Sequence, residues 1–258
     1  MLELEVVSTV DSSIEKSLFS IAGSAGSVPL LVGLHTWSAD RFNQLEAMLP
    51  YCRARGWAFL LPEFRGPNLI SNAWAGQACA SREARQDIMD AVDTVIERYP
   101  IDTANIFLLG GSGGGHMSLM MAAYAPERWR AVSSWCPITD LAAWHGQNPS
   151  YAPHIAACCG GIPGVSEAVD REYMERSPIN YAAEIARANV FVHHGRFDKS
   201  VPYIHTYNLV REIEKIDGEK NFFYEIFNGG HDIHYEDAFK WFDGHVNISA
   251  KEAVRITA

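Results

Sequence analysis

The chain has 258 residues, 48% of them hydrophobic and 20% charged, and a formal net charge of -10. That composition supports a sizeable buried core. An acidic surface repels phosphate backbones, so nucleic acid is excluded as a natural partner, and no apolar run is long enough to need a membrane.

Residues 3–10 and 15–22 read as paired opening strands. The stretch 28–35, "VPLLVGLH", is a nearly continuous apolar run, which predicts a strand buried on both faces. Phe42, Leu45, Met48, Leu49 and Cys52 then recur at helical spacing, with Gly56 suited to the C-terminal end and Pro50 predicting a kink or an early stop. A second buried strand follows at 57–64, then a loop rich in Gly, Asn and Pro. From Ser81 to Tyr99 one apolar stripe (Ile88, Val92, Val95, Ile96, Tyr99) predicts a helix ended by Pro100. Strands are predicted at 105–110, 130–138, 189–195 and 221–227, and helices after Gly113, over 203–216 and over 234–242. Residues 141–180 have weak periodicity and read as a loop-rich insertion, and the tail 244–258 carries no clear pattern.

Strands alternating with helices imply a mostly parallel sheet covered on both faces, in a single domain over residues 1–258. The first residues carry acids rather than a basic start and an apolar stretch, so no signal peptide is expected. Cys52, Cys79, Cys136, Cys158 and Cys159 show no zinc spacing and read as reduced, buried thiols of a cytoplasmic protein. Nothing in the sequence decides whether the chain forms a homo-oligomer.

The segment "NIFLLGGSGGGHM" (105–117) sets a lone serine among glycines between a strand and a helix. A P-loop requires a lysine after the glycines, and the dinucleotide fingerprint requires a glycine where His116 stands. Gly110-Gly111-Ser112-Gly113-Gly114 instead fits the nucleophile elbow G-x-S-x-G. A strand turning sharply into a helix strains the turning residue and tolerates only small neighbours. The helix N-terminus then offers free N–H groups and a positive dipole end to a developing oxyanion. A serine nucleophile needs a base, and the base needs an orienting acid, in the chain order Ser, acid, His. The strand at 189–195 leads into Asp198, and the last strand into His231. The spacing leaves room for two strand–helix units and then one. Asp140, also after a strand, is the weaker candidate for the acid.

The blocks "GGSGGG", "HHGRFDKSVP" and "NGGHDIH" stand in the order and spacing of the Ser, Asp and His blocks of the α/β-hydrolases. They resemble most closely the prolyl oligopeptidase catalytic domain and its esterase relatives, from about residue 28 to 243. The resemblance implies an α/β-hydrolase fold with a sheet of about eight strands and no large cap domain. It also implies a catalytic triad of Ser112, Asp198 and His231. "LHTWSAD" departs from the usual His-Gly-Gly form, leaving Thr36 or Trp37 as the first oxyanion donor; the N–H of Trp37 is favoured, with that of Gly113 as the second. The resemblance calls for no cofactor or metal. His231 and His234 are three apart, but no third ligand has matching spacing.

His35 is expected to brace the oxyanion loop, His193 and His194 to make structural hydrogen bonds, and Glu63 to pair with Arg65. Trp74, Trp135, Trp144 and Tyr151 are candidates for a pocket, and Asp232 reads as polar surface. The expected function is a serine hydrolase, first a carboxylesterase acting on small-molecule esters. That choice rests on the short insertion and on the absence of a propeller from the sequence. The alternatives are a serine peptidase of prolyl oligopeptidase type and a non-catalytic binding protein on the same fold.

Overall fold

The computed structural model describes residues 1–21, 23 and 26–247; most of the tail, 248–258, lies outside the described residues. Eight strands form one sheet: β1 Leu2–Val7, β2 Ile14–Ser20, β3 Val28–Leu34, β4 Ala58–Pro62, β5 Ile101–Gly111, β6 Ala131–Trp135, β7 Val190–Gly195 and β8 Phe222–Phe227. Their order across the sheet is β1-β2-β4-β3-β5-β6-β7-β8. β1 and β2 pair antiparallel, as do β2 and β4, and every later pairing is parallel. This is the α/β-hydrolase fold.

The sheet is buried on both faces because its central strands are apolar throughout, and successive side chains point to opposite sides. Leu30, Val32 and Leu34 of β3 join Ile106 and Leu108 of β5 in one core, beneath α2 (Arg82–Arg98), α3 (Gly113–Tyr124) and α8 (Ile204–Glu214). Leu31, Phe107 and Leu109 point the other way, into a core closed by α1 (Leu45–Arg55) and α9 (Tyr235–Asp243). Pro50 does not stop α1. One bond to the Glu46 carbonyl is forgone and the helix runs on to Gly56, which ends it at φ 67°.

Residues 141–180 depart from the loop-rich reading. They fold into α4 (Leu141–Gln147), α5 (Ala152–Cys159) and α6 (Glu167–Glu175), followed by a 3-10 turn at Pro178–Tyr181. Asp140 and Ser166 cap α4 and α6 by accepting the N–H of Ala143 and of Val169. The three helices share a small third core with Trp37, in which Trp144, Ile155, Cys158 and Cys159 are buried. Arg176, at the end of α6, ties this unit to the main body by donating to the carbonyls of Gly76 and Ala78, both at 2.9 Å. One further short helix, α7 (Ala182–Ile185), leads into β7. The described residues contain no helix long and apolar enough to cross a membrane.

Candidate active site

The carboxyl ends of the parallel strands supply the site. β5 runs into Gly111, Ser112 makes the turn at φ 56° and ψ -119°, and α3 begins at Gly113. The turn is held by the Ser112 N–H, which donates to the Trp135 carbonyl at 2.8 Å, and by the Ser112 carbonyl, which accepts from His116 N–H at 2.9 Å. Its sharpness explains the glycines. A Cβ on Gly110 would lie 2.0 Å from the Gly114 carbonyl oxygen, and one on Gly113 would lie 2.4 Å from the backbone nitrogen of Trp37.

That second approach sets the Trp37 and Gly113 backbones side by side. Neither N–H finds an acceptor among the described residues, so both are available to a developing oxyanion. The Thr36 N–H is spent on the side chain of Asn43 at 3.1 Å. His35 braces this loop: its ring stacks on Phe64 at 3.9 Å, and its two nitrogens lie 2.9 Å from the carbonyls of Thr36 and Glu63.

The loops after β7 and β8 are stitched together. Gly195 is so close to the Gly230 carbonyl that a Cβ would sit 1.8 Å from its oxygen, and Phe197 N–H donates to the Gly229 carbonyl at 2.9 Å. This brings His231 Nδ1 to 2.6 Å from Oδ2 of Asp198. The Asp198 side chain is fully buried, whereas that of His231 is 30% exposed. Burial pushes the Asp198 carboxyl up, but contacts with His194 and His231 and the Val201 N–H outweigh it and hold the group well below the usual carboxylate range. The Asp198 Oδ1 accepts from Ser200 and Val201 N–H at 2.8 and 2.9 Å, and His194 Nε2 stands 3.4 Å from Oδ2. His194 is itself fixed by Val201 and Thr206, each at 2.8 Å.

Ser112 and His231 face one cavity of about 250 Å³, walled also by Trp37, Tyr151, Cys136 and Asp232. A hydroxyl, an imidazole bonded to a buried carboxylate and two N–H groups without an acceptor thus meet at one cavity, the set of groups that acyl transfer through a serine requires. Asp140 plays no part in it, being spent on the cap of α4. Of the four aromatic candidates only Tyr151 lines the cavity. Trp144 is buried against Trp37, Trp135 stacks on His193, and Trp74 is exposed at a separate hollow beside Arg65. Glu63 and Arg65 do not pair with each other. Glu63 binds Arg41, while buried Arg65 binds Asp87 and Asp11.

The cavity wall also holds residues to which the sequence analysis gives no site role, Asp232 and Cys136 among them; Asp232 is exposed, as expected of polar surface, whereas Cys136 lies just past the strand, which ends at Trp135. Cys136 leaves that strand at φ 45°. Together with Asp198 and His231 it forms a group of His, Cys, Asp or Glu side chains spaced for a metal ion.

The model of the prolyl oligopeptidase family, its peptidase S9 domain, matches residues 43–247. The chain belongs to that family. It is 25% identical over 268 aligned positions to acylamino-acid-releasing enzyme 2 of Oryza sativa subsp. japonica, covering 96% of this chain and 32% of the relative. Against the human acylamino-acid-releasing enzyme it is 26% identical over 188 positions, 68% of this chain and 25% of the relative. The chain therefore spans between a quarter and a third of these relatives. Among solved structures, Pyrococcus horikoshii acylaminoacyl peptidase superposes with a TM-score of 0.75 at 17% identity, over 95% of this chain and 41% of the other. A puromycin-hydrolyzing peptidase of Mycobacterium tuberculosis gives 0.74 at 16% identity, over 96% and 40%. At such identities the structures speak for the fold, and the family places the chain among serine hydrolases.

Proposed function

We propose that the chain is the catalytic part of a serine peptidase that cleaves the amide bond following an N-acylated residue, by way of an acyl-enzyme on Ser112. The carrying observation is the Asp198–His231 pair, bonded at 2.6 Å and facing the same cavity as Ser112 beside two unengaged N–H groups. In the proposed sequence the Ser112 hydroxyl attacks the carbonyl carbon as His231 takes its proton. Asp198 balances the imidazolium, and the N–H groups of Trp37 and Gly113 hold the oxyanion. The C–N bond breaks as His231 returns the proton to the departing amine. Water, deprotonated by the same imidazole, then attacks the ester, and Ser112 recovers its proton on release of the acid.

The relatives named as acylamino-acid-releasing enzymes favour an amide substrate over the carboxylesterase first expected from the sequence. Asp232 is the one carboxylate on a cavity wall otherwise made of neutral side chains and His231, so a free amino group has a single counter-charge to find there. Ester cleavage uses the same steps with an easier leaving group, so activated esters are expected as side substrates.

The test compares N-acetyl-alanyl, alanyl and other aminoacyl anilides with nitrophenyl esters of increasing chain length. Higher kcat/KM on acetylated than on free-amino anilides supports the proposal. Preference for the free amine would move it to aminopeptidase chemistry, and turnover of esters alone would return it to a carboxylesterase.

A further inference from the structure

The turn after β6 brings a thiol up to the Asp198–His231 pair. Cys136 Sγ lies 3.8 Å from the carbonyl oxygen of Gly230 and 3.6 Å from that of Asp232, the residues on either side of His231. One ligand atom from each of Cys136, Asp198 and His231 falls within 4.8 Å of the others, the only such trio among the described residues. Thiolate, carboxylate and imidazole form the mixed donor set that a borderline-soft cation takes, and a hard ion such as Mg²⁺ declines. We propose that Cys136, Asp198 and His231 form an inhibitory binding site for a thiophilic divalent cation of the Zn²⁺ or Cd²⁺ type.

Binding balances in charge without any redox step. The Cys136 S–H bond breaks and its proton passes to solvent. The sulfur electron pair, an oxygen of ionised Asp198 and one nitrogen of a neutral His231 form the bonds to the ion. Two anionic ligands cancel the two positive charges, so the occupied site is neutral. That matters at this depth, where Cys136 is buried and a lone thiolate would have no counter-charge. The ion supplies the counter-charge that the pocket lacks, and it binds with the loss of one proton.

Access and fit are both present. Cys136 and His231 line the 250 Å³ cavity that opens to solvent, which leaves a fourth position for water. The Asp198–His231 separation of 2.6 Å must widen to the roughly 3.3 Å that two oxygen or nitrogen ligands keep on a tetrahedral ion. The His231 side chain, 30% exposed on its loop, can supply that shift. Either ring nitrogen as ligand ends proton transfer. At Nε2 the lone pair is occupied, and at Nδ1 the bond to Asp198 is replaced. The site is thus an off-switch, compatible with a reaction that needs no metal. Its effect on turnover rests on the proposed role of His231, but its occupancy does not.

The experiment titrates the full chain, stripped with chelator, with ZnCl₂ by calorimetry and with CoCl₂ by absorption, alongside Cys136→Ser and Cys136→Ala. Wild type is expected to bind one equivalent and to show a sulfur-to-cobalt charge-transfer band. At saturating Zn²⁺ its hydrolase rate should fall at least about tenfold and recover with chelator. Both variants should lose the band, bind Zn²⁺ about 10–100-fold more weakly, and need correspondingly more Zn²⁺ for inhibition relative to their own metal-free rates. Stoichiometric binding that survives in both variants, or no binding to wild type, overturns the proposal. A chain that binds through Cys136 yet hydrolyses nothing upholds the site and overturns the functional reading instead.

Discussion

Asp198 holds His231 with one oxygen and two backbone N–H groups with the other, so its carboxylate cannot rotate without abandoning bonds. In the proposed mechanism the pair is a fixed orienting element, which works only while the acid is an acceptor. Asp198→Asn replaces an acceptor with an amide that can present N–H to Nδ1, which favours the wrong imidazole tautomer. The expected outcome is a fall in kcat of roughly 10³–10⁴-fold with KM little changed. Steady-state kinetics on an acetylated anilide checks it, and a loss carried by KM would place Asp198 in binding instead.

Ser112 stands at a positive φ that an ordinary residue resists, at the end of the central strand of the sheet. Ser112→Ala keeps the backbone and removes only the nucleophile, so turnover should drop by ~10³-fold or more while the unfolding midpoint stays near that of wild type. A fluorophosphonate probe should label Ser112 in wild type and nothing in the variant. Mass spectrometry of the labelled peptide decides the matter.

Gly113 packs against the backbone of Trp37 so closely that no side chain fits between them. Gly113→Ala must push the two N–H donors apart, and the oxyanion would lose at least one. A loss of about 10²–10³-fold in kcat is expected, larger than any change in KM. Because the labelling step also passes through an oxyanion-like state, the rate of fluorophosphonate labelling should fall as well, whereas a purely local folding defect would show as lost far-ultraviolet dichroism.

Much of the fold is legible in the sequence. β3 to β7 announce themselves as apolar runs because both faces of the sheet are covered, and the order Ser112, Asp198, His231 follows from loops at one edge of a parallel sheet. The insertion was not legible, because helices of seven to nine residues show at most about two and a half turns of periodicity. Their apolar residues also serve a private core around Trp37 and Trp144 rather than one long stripe. The caps at Asp140 and Ser166 were the available signals. Cys136 was hidden for another reason: in "SSWCPI" it precedes a proline, a position biased toward extended backbone, yet it turns at φ 45°. The partners of Arg65 could not be read either, since Asp11 and Asp87 reach it from distant parts of the chain.

That arginine gives a stability prediction far from the chemistry. Arg65 is 5% exposed, and its guanidinium binds Asp87 through Nε and Nη2 and Asp11 through Nη1 and Nη2. Asp87→Ala would leave a buried cation short of its innermost counter-charge, and a loss of about 3 kcal/mol in unfolding free energy is expected. Asp87→Asn, which still accepts a hydrogen bond, should cost less. Urea denaturation of the two variants provides the comparison, and equal costs would mean that the lost charge alone, rather than the lost hydrogen bonds, sets the penalty.

The histidines set how stability responds to acid. His116, His193 and His205 are buried, and burial pulls each imidazole down to about 4. His205 shows why the neutral form is required. Its Nδ1 accepts from Thr139 N–H at 3.3 Å, and its Nε2 donates to Gln147 Oε1 at 2.9 Å, so a second ring proton would meet a donor. In the unfolded chain these groups titrate near 6.5. Between about 6.5 and 4 the unfolded state therefore binds more protons than the folded one, and stability falls as the pH falls. Their contribution is complete above about pH 6.5 and is lost progressively down to about pH 4, on the order of 3 kcal/mol for each group. Urea midpoints measured from about pH 7.5 to about pH 4.5 should decline through this window. His205→Gln, which keeps an acceptor and a donor but cannot titrate, should flatten the decline in part, leaving the share of the other buried histidines, His35 included. Parallel curves for the variant and wild type would show that His205 is already charged in the folded protein, or that its neighbours move to receive the proton.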